Sequence, residues 1–172
     1  MNADDVQQLY NLAGPLGPLG EVAERERDDQ AWIAARLPED ARPMLEALDT
    51  LPGPWVNAES AAYLVMMALC RLAREAPDQV LPVLTGAIAK PGLGQGAAIC
   101  ALGDLPDGAG LAVLLGIDPH RLHDDAQVDW VLTLAEMGLP KAMARVRAVA
   151  ASEGSPPAAR AEAQRVIANL KP

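Results

Sequence analysis

The sequence predicts an all-α fold in which helix-turn-helix units stack as an α-solenoid, a right-handed superhelix. Three observations point there. Half of the 172 residues are hydrophobic (51%), yet aromatics make up 3% and phenylalanine is absent, so the core must be packed from Ala, Leu, Val, Ile and Met. That palette suits close helix-on-helix contact. A segment also recurs: residues 66–72 (MMALCRL), 99–105 (ICALGDL), 131–137 (VLTLAEM) and 164–170 (QRVIANL) align at offsets of 33, 32 and 33, taken from Leu69, Leu102, Leu134 and Ile167. Finally, each of the first three copies is followed by a proline, Pro77, Pro106 or Pro140, that opens a second apolar segment. Proline at a first helical position lacks only an N–H that would be unpaired anyway.

Taken in order, residues 2–13 predict a capping helix and 14–20 (GPLGPLG) a connector. Residues 21–51 read as a divergent unit, because AWIAARL precedes Pro38 and Pro43, which match Pro77 and Pro82 at an offset of 39. Residues 1–57 therefore hold the capping helix and a divergent repeat, and 58–172 hold four units, the last a half-repeat cap. All are expected in one cooperative domain. Within the recurring helices, matched positions form core rows: Val65, Ala98, Trp130 and Ala163; three residues later Ala68, Ala101, Thr133 and Val166; then the rows of Leu69 and Leu72. Elsewhere on the helices the rows turn polar along the chain, as in Leu64, Ala97, Asp129, Glu162 and Arg71, Asp104, Glu136, Asn169.

AAICALGDLPDGAGLAVLLG (97–116) and VDWVLTLAEMGLPKAMARVRAV (128–149) are the best copies, and this text resembles the bacterial HEAT-like repeat, in the short variety also called PBS-lyase HEAT-like. The resemblance spans roughly residues 59–170. It implies an α-solenoid with a concave binding face. One departure stands out. The family often pairs an Arg near the start of each second helix with an Asp of the turn, whereas the matching positions here are Ala62, Gln95, Gln127 and Arg160.

Few residues look like reagents. Gly92-x-Gly94-x-Gly96 lacks the preceding strand of a dinucleotide loop and the acidic ribose contact beyond it, so it reads as a turn where glycine ends a helix in the left-handed conformation. In IDPHRLHDDAQ (117–127), His120 and His123 stand three apart beside Asp118, Asp124 and Asp125, a spacing that could hold a divalent ion. A solvated loop with Asp124 or Asp125 capping the next helix is the simpler expectation. Cys70 and Cys100 lie in apolar helical text and read as buried free thiols. No His-Glu pair of the di-iron HEAT-like hydroxylases is present, nor a motif matching the phycobilin lyases. No metal and no cofactor is expected.

Charge is divided unevenly. Residues 1–60 carry twelve acids against four arginines, net −8; residues 91–140 are −6; from 141 onward the chain is +4, within a total of −9. That distribution argues against nucleic acid, which would call for a basic stripe. The longest apolar run, residues 61–70, is too short to span a membrane, and the acidic start is unlike a secretory signal, so a cytoplasmic monomer is expected. The leading reading is non-catalytic: a small scaffold or inhibitor, for instance an immunity-type protein, that binds a protein through the concave face. A basic partner would suit its acidity. Arg71, Gln95, Asp104, Gln127, Asp129 and Glu136 are the expected binding residues. The alternative is a HEAT-like enzyme, or a lyase or chaperone, with a site near His120, His123 and Cys100.

Overall fold

The computed structural model describes residues 1–14, 22–52 and 56–170. Apart from Gly14, the expected GPLGPLG connector lies outside them. Among the described residues the chain is helical, with no strand. The helices are α1 (Ala3–Leu12), α2 (Val22–Ala34), α3 (Ala41–Asp49), α4 (Ala58–Glu75), α5 (Pro77–Ile88), α6 (Gly94–Gly103), α7 (Leu111–Gly116), α8 (Asp124–Met137), α9 (Pro140–Ala151) and α10 (Pro157–Asn169). Short 3-10 turns sit at Pro38–Asp40, Pro106–Gly108 and Pro119–Arg121. No helix among the described residues is long and apolar enough to cross a membrane.

Local chemistry explains most of the boundaries. Asn2 caps α1 by accepting the Asp5 N–H, while Asp5 accepts the Asn2 N–H, a reciprocal capping box. Asn57 caps α4 by accepting the Ser60 N–H. Pro77, Pro140 and Pro157 stand at the start of α5, α9 and α10. Gly138, at φ 62°, closes α8 in the left-handed conformation.

The recurring helices lie next to one another: α4 packs on α6, α6 on α8 and α8 on α10. The helix between each pair packs on both members, α5 mainly on α6 and α9 mainly on α10, whereas α7 lies mainly on α6 and also touches α8. The matched rows form the core. Val65, Ala98, Trp130 and Ala163 are all buried, as are Leu69, Leu102 and Leu134, while Ile167 at the same position of α10 is half-buried. The Leu72 row fades in the same way, from buried Leu72 and Leu105 to Leu170, which is 46% exposed. The rows thus open to solvent toward α10, the last helix among the described residues.

At the other end, α1, α2 and α3 each pack on α4. Arg36, at the end of α2, is the buried tie. Its guanidinium lies over the Trp32 ring at 4.9 Å, and its Nη2 donates to Asp5 Oδ1 at 2.8 Å. Trp32 Nε1 donates to the Asp5 carbonyl at 3.1 Å. The hydrogen bonds from Arg36 and from the Asn2 N–H hold the Asp5 carboxyl down to about 2.

Three local expectations are corrected. The glycines of residues 92–96 do not end a helix. α5 stops at Ile88 with Ala89 as its right-handed cap, and Gly94 and Gly96 are buried inside the first turn of α6. Their reason is close approach: a Cβ at Gly94 would meet Leu45 Cδ2 at 2.9 Å, and one at Gly96 would meet Asp129 Oδ2 at 2.2 Å. Pro106 does not open a long helix either. It starts a 3-10 turn in which Asp107 and Gly108 both take positive φ, 55° and 69°, and α7 begins only at Leu111. Lastly, α8 is capped by His123 rather than Asp124 or Asp125, which fall within its first turn.

The repeat rows make a testable distinction between equivalent positions. Leu102→Ala should cost about 2–5 kcal/mol, the range for a leucine truncated in a closed core. Ile167→Ala, in the helix at the open end, should cost distinctly less. Chemical denaturation of the two variants checks this, and equal losses would contradict the packing gradient.

Candidate functional site

Because α6 and α8 run alongside each other, residues one repeat apart become neighbours. Thr133 Oγ1 points at Cys100 Sγ from 3.9 Å, and the Asp129 carboxylate rests on Gly96. Both pairs are 33 residues apart, one more than the 32-residue step between these two helices. Beside them a cavity of about 340 Å3 opens over α4, α6 and α8. Its walls are Met66 and Cys70 from α4, Cys100 and Gly103 from α6 with Asp104 just beyond, and Asp129, Leu132, Thr133, Glu136 and Met137 from α8. Three of the expected binding residues, Asp104, Asp129 and Glu136, therefore share one site.

Its electrostatics are one-sided. Asp104 is matched by Arg74, whose Nη1 donates to Oδ2 at 2.6 Å on the exposed rim. Asp129 makes no side-chain hydrogen bond or ion pair among the described residues. Burial, and secondly the Asp125 charge, push its carboxyl above the usual range, with His123 opposing. Both thiols are unbridged. Burial first, and then Asp104, drive the Cys70 thiol far up. Burial and then Asp129 push Cys100 up to about 11. A thiol attacks as its thiolate, so neither cysteine is prepared as a nucleophile near neutral pH.

The other expected residues have different work. Gln95 and Gln127 are 1% and 5% exposed, which removes them from any binding row. Each instead joins consecutive units through both ends of its amide. Gln95 Nε2 donates to the Ile88 carbonyl at 2.9 Å and its Oε1 accepts the His123 N–H at 3.3 Å. Gln127 Nε2 donates to the Leu122 carbonyl at 3.0 Å and its Oε1 accepts the Ala159 N–H at 3.4 Å. A buried backbone group needs a partner, and at helix ends the ladder cannot supply one. Arg71 turns away from the cavity, donating to Glu75 and to the Arg36 carbonyl.

The histidines do not converge. His120 Nε2 lies 3.0 Å from the Gly154 carbonyl, before α10. His123 Nε2 lies 3.1 Å from the Gly92 carbonyl, before α6, while its Nδ1 faces the Ala126 N–H at 3.4 Å. The Nδ1 contact makes that nitrogen an acceptor and leaves Nε2 to donate to the Gly92 carbonyl. Neither histidine lines the cavity that holds Cys100, so the alternative site at His120, His123 and Cys100 is not assembled. No group of three or more His, Cys, Asp or Glu among the described residues is placed to hold a metal ion.

Cys70, Thr133, Met66 and Met137 were not anticipated as part of the site. The repeat carried a signal for Cys70, which is the matched position of Gly103 on the adjacent helix, while Thr133 lies next to Leu132, the matched position of Cys100.

Two substitutions test these roles. Gln127→Ala leaves a buried carbonyl and a buried N–H without partners, so it should cost about 1–3 kcal/mol. An exposed binding residue would change stability by about 0.5 kcal/mol or less. Asp129→Asn should raise the thermal midpoint at neutral pH. A carboxyl whose pKa is raised on folding opposes folding when charged, so the gain should shrink as pH falls through the raised pKa and vanish below about 3.9, the unfolded value. Melting curves across pH 3–7 check the sign.

Comparison of the chain with family models, with curated proteins and with solved structures yields no match.

Proposed function

We propose that the chain is a HEAT-like α-solenoid whose function is non-catalytic, the binding of a basic segment of another protein on the face formed by α4, α6 and α8. The side-by-side order of α4, α6, α8 and α10, which are the recurring segments of the sequence, supports the solenoid. Gln95 and Gln127 supply joints between units, standing where the resembled family often carries Arg.

One observation carries the binding reading. Asp129 is half-buried, makes no side-chain hydrogen bond or ion pair among the described residues, and shares its cavity with Asp104 and Glu136. An uncompensated carboxylate is a standing cost to the fold, and a cation delivered by a partner would remove it. An arginine or lysine side chain of a partner supplies that cation, and the surrounding acidity steers it there. Burial keeps both thiols protonated, which removes the nearest source of covalent chemistry. Free thiols suit a reducing compartment, and we place the protein in the cytoplasm on that ground.

Reversing two charges tests the proposal. Immobilised protein should retain basic proteins, and Asp104→Lys with Glu136→Lys should lose them. Glu26→Lys with Glu153→Lys, both exposed and away from the cavity, makes the same change in net charge and should retain them. Association should also slow as salt rises past about 0.15 M, where the Debye length is about 8 Å, with little change in dissociation. Equal loss in both pairs would reduce the effect to bulk charge. Capture of acidic proteins or nucleic acid would overturn the reading.

A further inference from the structure

A second cavity, of about 270 Å3, lies between α3, α5 and the start of α6, where Gly92, Gly94 and Gln95 complete its lining, and it shares no lining residue with the acidic one. We propose that it is a binding site for a small zwitterion with an apolar body, of the class of an aliphatic α-amino acid. Its size falls just below the roughly 300 Å3 at which ligand cavities usually begin, so the occupant is small.

The walls carry the chemistry. Leu45 of α3 and Pro82, Val83 and Ala87 of α5 make an apolar lining. Around it stand Arg42, Glu46 and Asp49 from α3 and Lys90 just after α5. None of these four side chains forms an ion pair or hydrogen bond among the described residues, although Arg42 and Glu46 are one helical turn apart with opposite charge. Two cations and two carboxylates make a neutral rim. A ligand of single charge would meet repulsion from half of it, whereas a zwitterion can place its carboxylate toward Arg42 and Lys90 and its ammonium toward Glu46 and Asp49.

Gly86, an exposed residue of α5, borders the cavity on its open side. It lies inside α5 and lines this cavity, yet a Cβ there would meet nothing within 4 Å. Glycine within a helix costs about 1 kcal/mol relative to alanine. Elsewhere the chain returns a reason for such a glycine: Gly94, Gly96, Gly103 and Gly110 each lie so close to a neighbour that a Cβ would collide. Gly116 also has open space, but it ends α7, where lost propensity matters little. At Gly86 the described residues leave the space toward the cavity mouth open, and a glycine there leaves room for a ligand to enter.

Titration calorimetry of the full chain with L-leucine and L-valine tests this, with leucinamide and 4-methylpentanoate as probes that each lack one charge. At least one amino acid should bind saturably, and the two singly charged probes at least tenfold more weakly than leucine. Gly86→Leu should abolish the binding by occupying the cavity. Gly86→Ala should raise the thermal midpoint while weakening binding, a combination that a purely structural glycine would not produce, and it keeps the test available if the larger variant fails to fold. No binding by either amino acid overturns the proposal, as does equal binding of the singly charged probes or undiminished binding by Gly86→Ala. None of these outcomes bears on the acidic face, whose residues are untouched.

Discussion

Close approach to α6 is the constraint on which the rest of the structure depends. This helix, GQGAAICALG, is built almost wholly from small residues, and it touches α3, α4, α5, α7 and α8. No larger side chain could stand at several of its positions. Asp129 and Thr133 of α8 press on Gly96 and Gly103, Leu45 of α3 presses on Gly94, and the Leu102 carbonyl lies 2.0 Å from where a Cβ of Gly110 would stand. Short separations of this kind increase dispersion contact and exclude water along the whole seam. They also bring α4 and α8 near enough for a single cavity to draw residues from both.

Packing that close leaves helix ends inside the protein, and their backbone groups must be satisfied by side chains. Gln95, Gln127 and His123 do this between them. Each glutamine offers a donor and an acceptor on one planar group, so a single side chain can bind a carbonyl ahead of its own helix and an N–H at the start of a later one. His123 adds the same service in the other direction, reaching from the start of α8 back to Gly92. Neutral groups suit this position, since a charge so deeply buried would require an ionic partner. The price of the arrangement is rigidity at the unit joints, which favours a preformed surface over an adaptable one.

The proposed function rests on a charge that the packing leaves unpaired. Arg36, buried at the N-terminal end, is matched by Asp5, the Trp32 carbonyl and the Trp32 ring. Asp129 has no such match, and it faces the cavity with Asp104 and Glu136. The contrast within one chain separates a charge that serves the fold from one that the fold tolerates. The four unpaired charges around the cleft of α3 and α5 form a second group of the tolerated kind, neutral in sum where the first is acidic.

The sequence by itself determined the helical class and the rows of the core, because both are periodic properties of the chain. Val65, Ala98, Trp130 and Ala163 could be aligned by counting, and all four are buried. Pro77 and Pro140 marked helix starts for a reason internal to proline. It also placed Asp104, Asp129 and Glu136 among the candidates, since the repeat step assigns them to adjacent helices. Tertiary structure alone decided what the polar residues do. Gln95, Gln127 and Asp129 look equally exposed on a helical wheel, but two have backbone partners across a joint and one has none, and those partners lie 28 to 32 residues away at helix ends. His120 and His123 are three apart in the chain and point to carbonyls at Gly154 and Gly92, on opposite sides of their loop. Gly94 and Gly96 read as turn residues until Leu45 and Asp129 are set against them. Periodicity reports which face of a helix is buried; only the packed chain reports which hydrogen-bonding group lies opposite each side chain, and on that the role of every polar residue here depends.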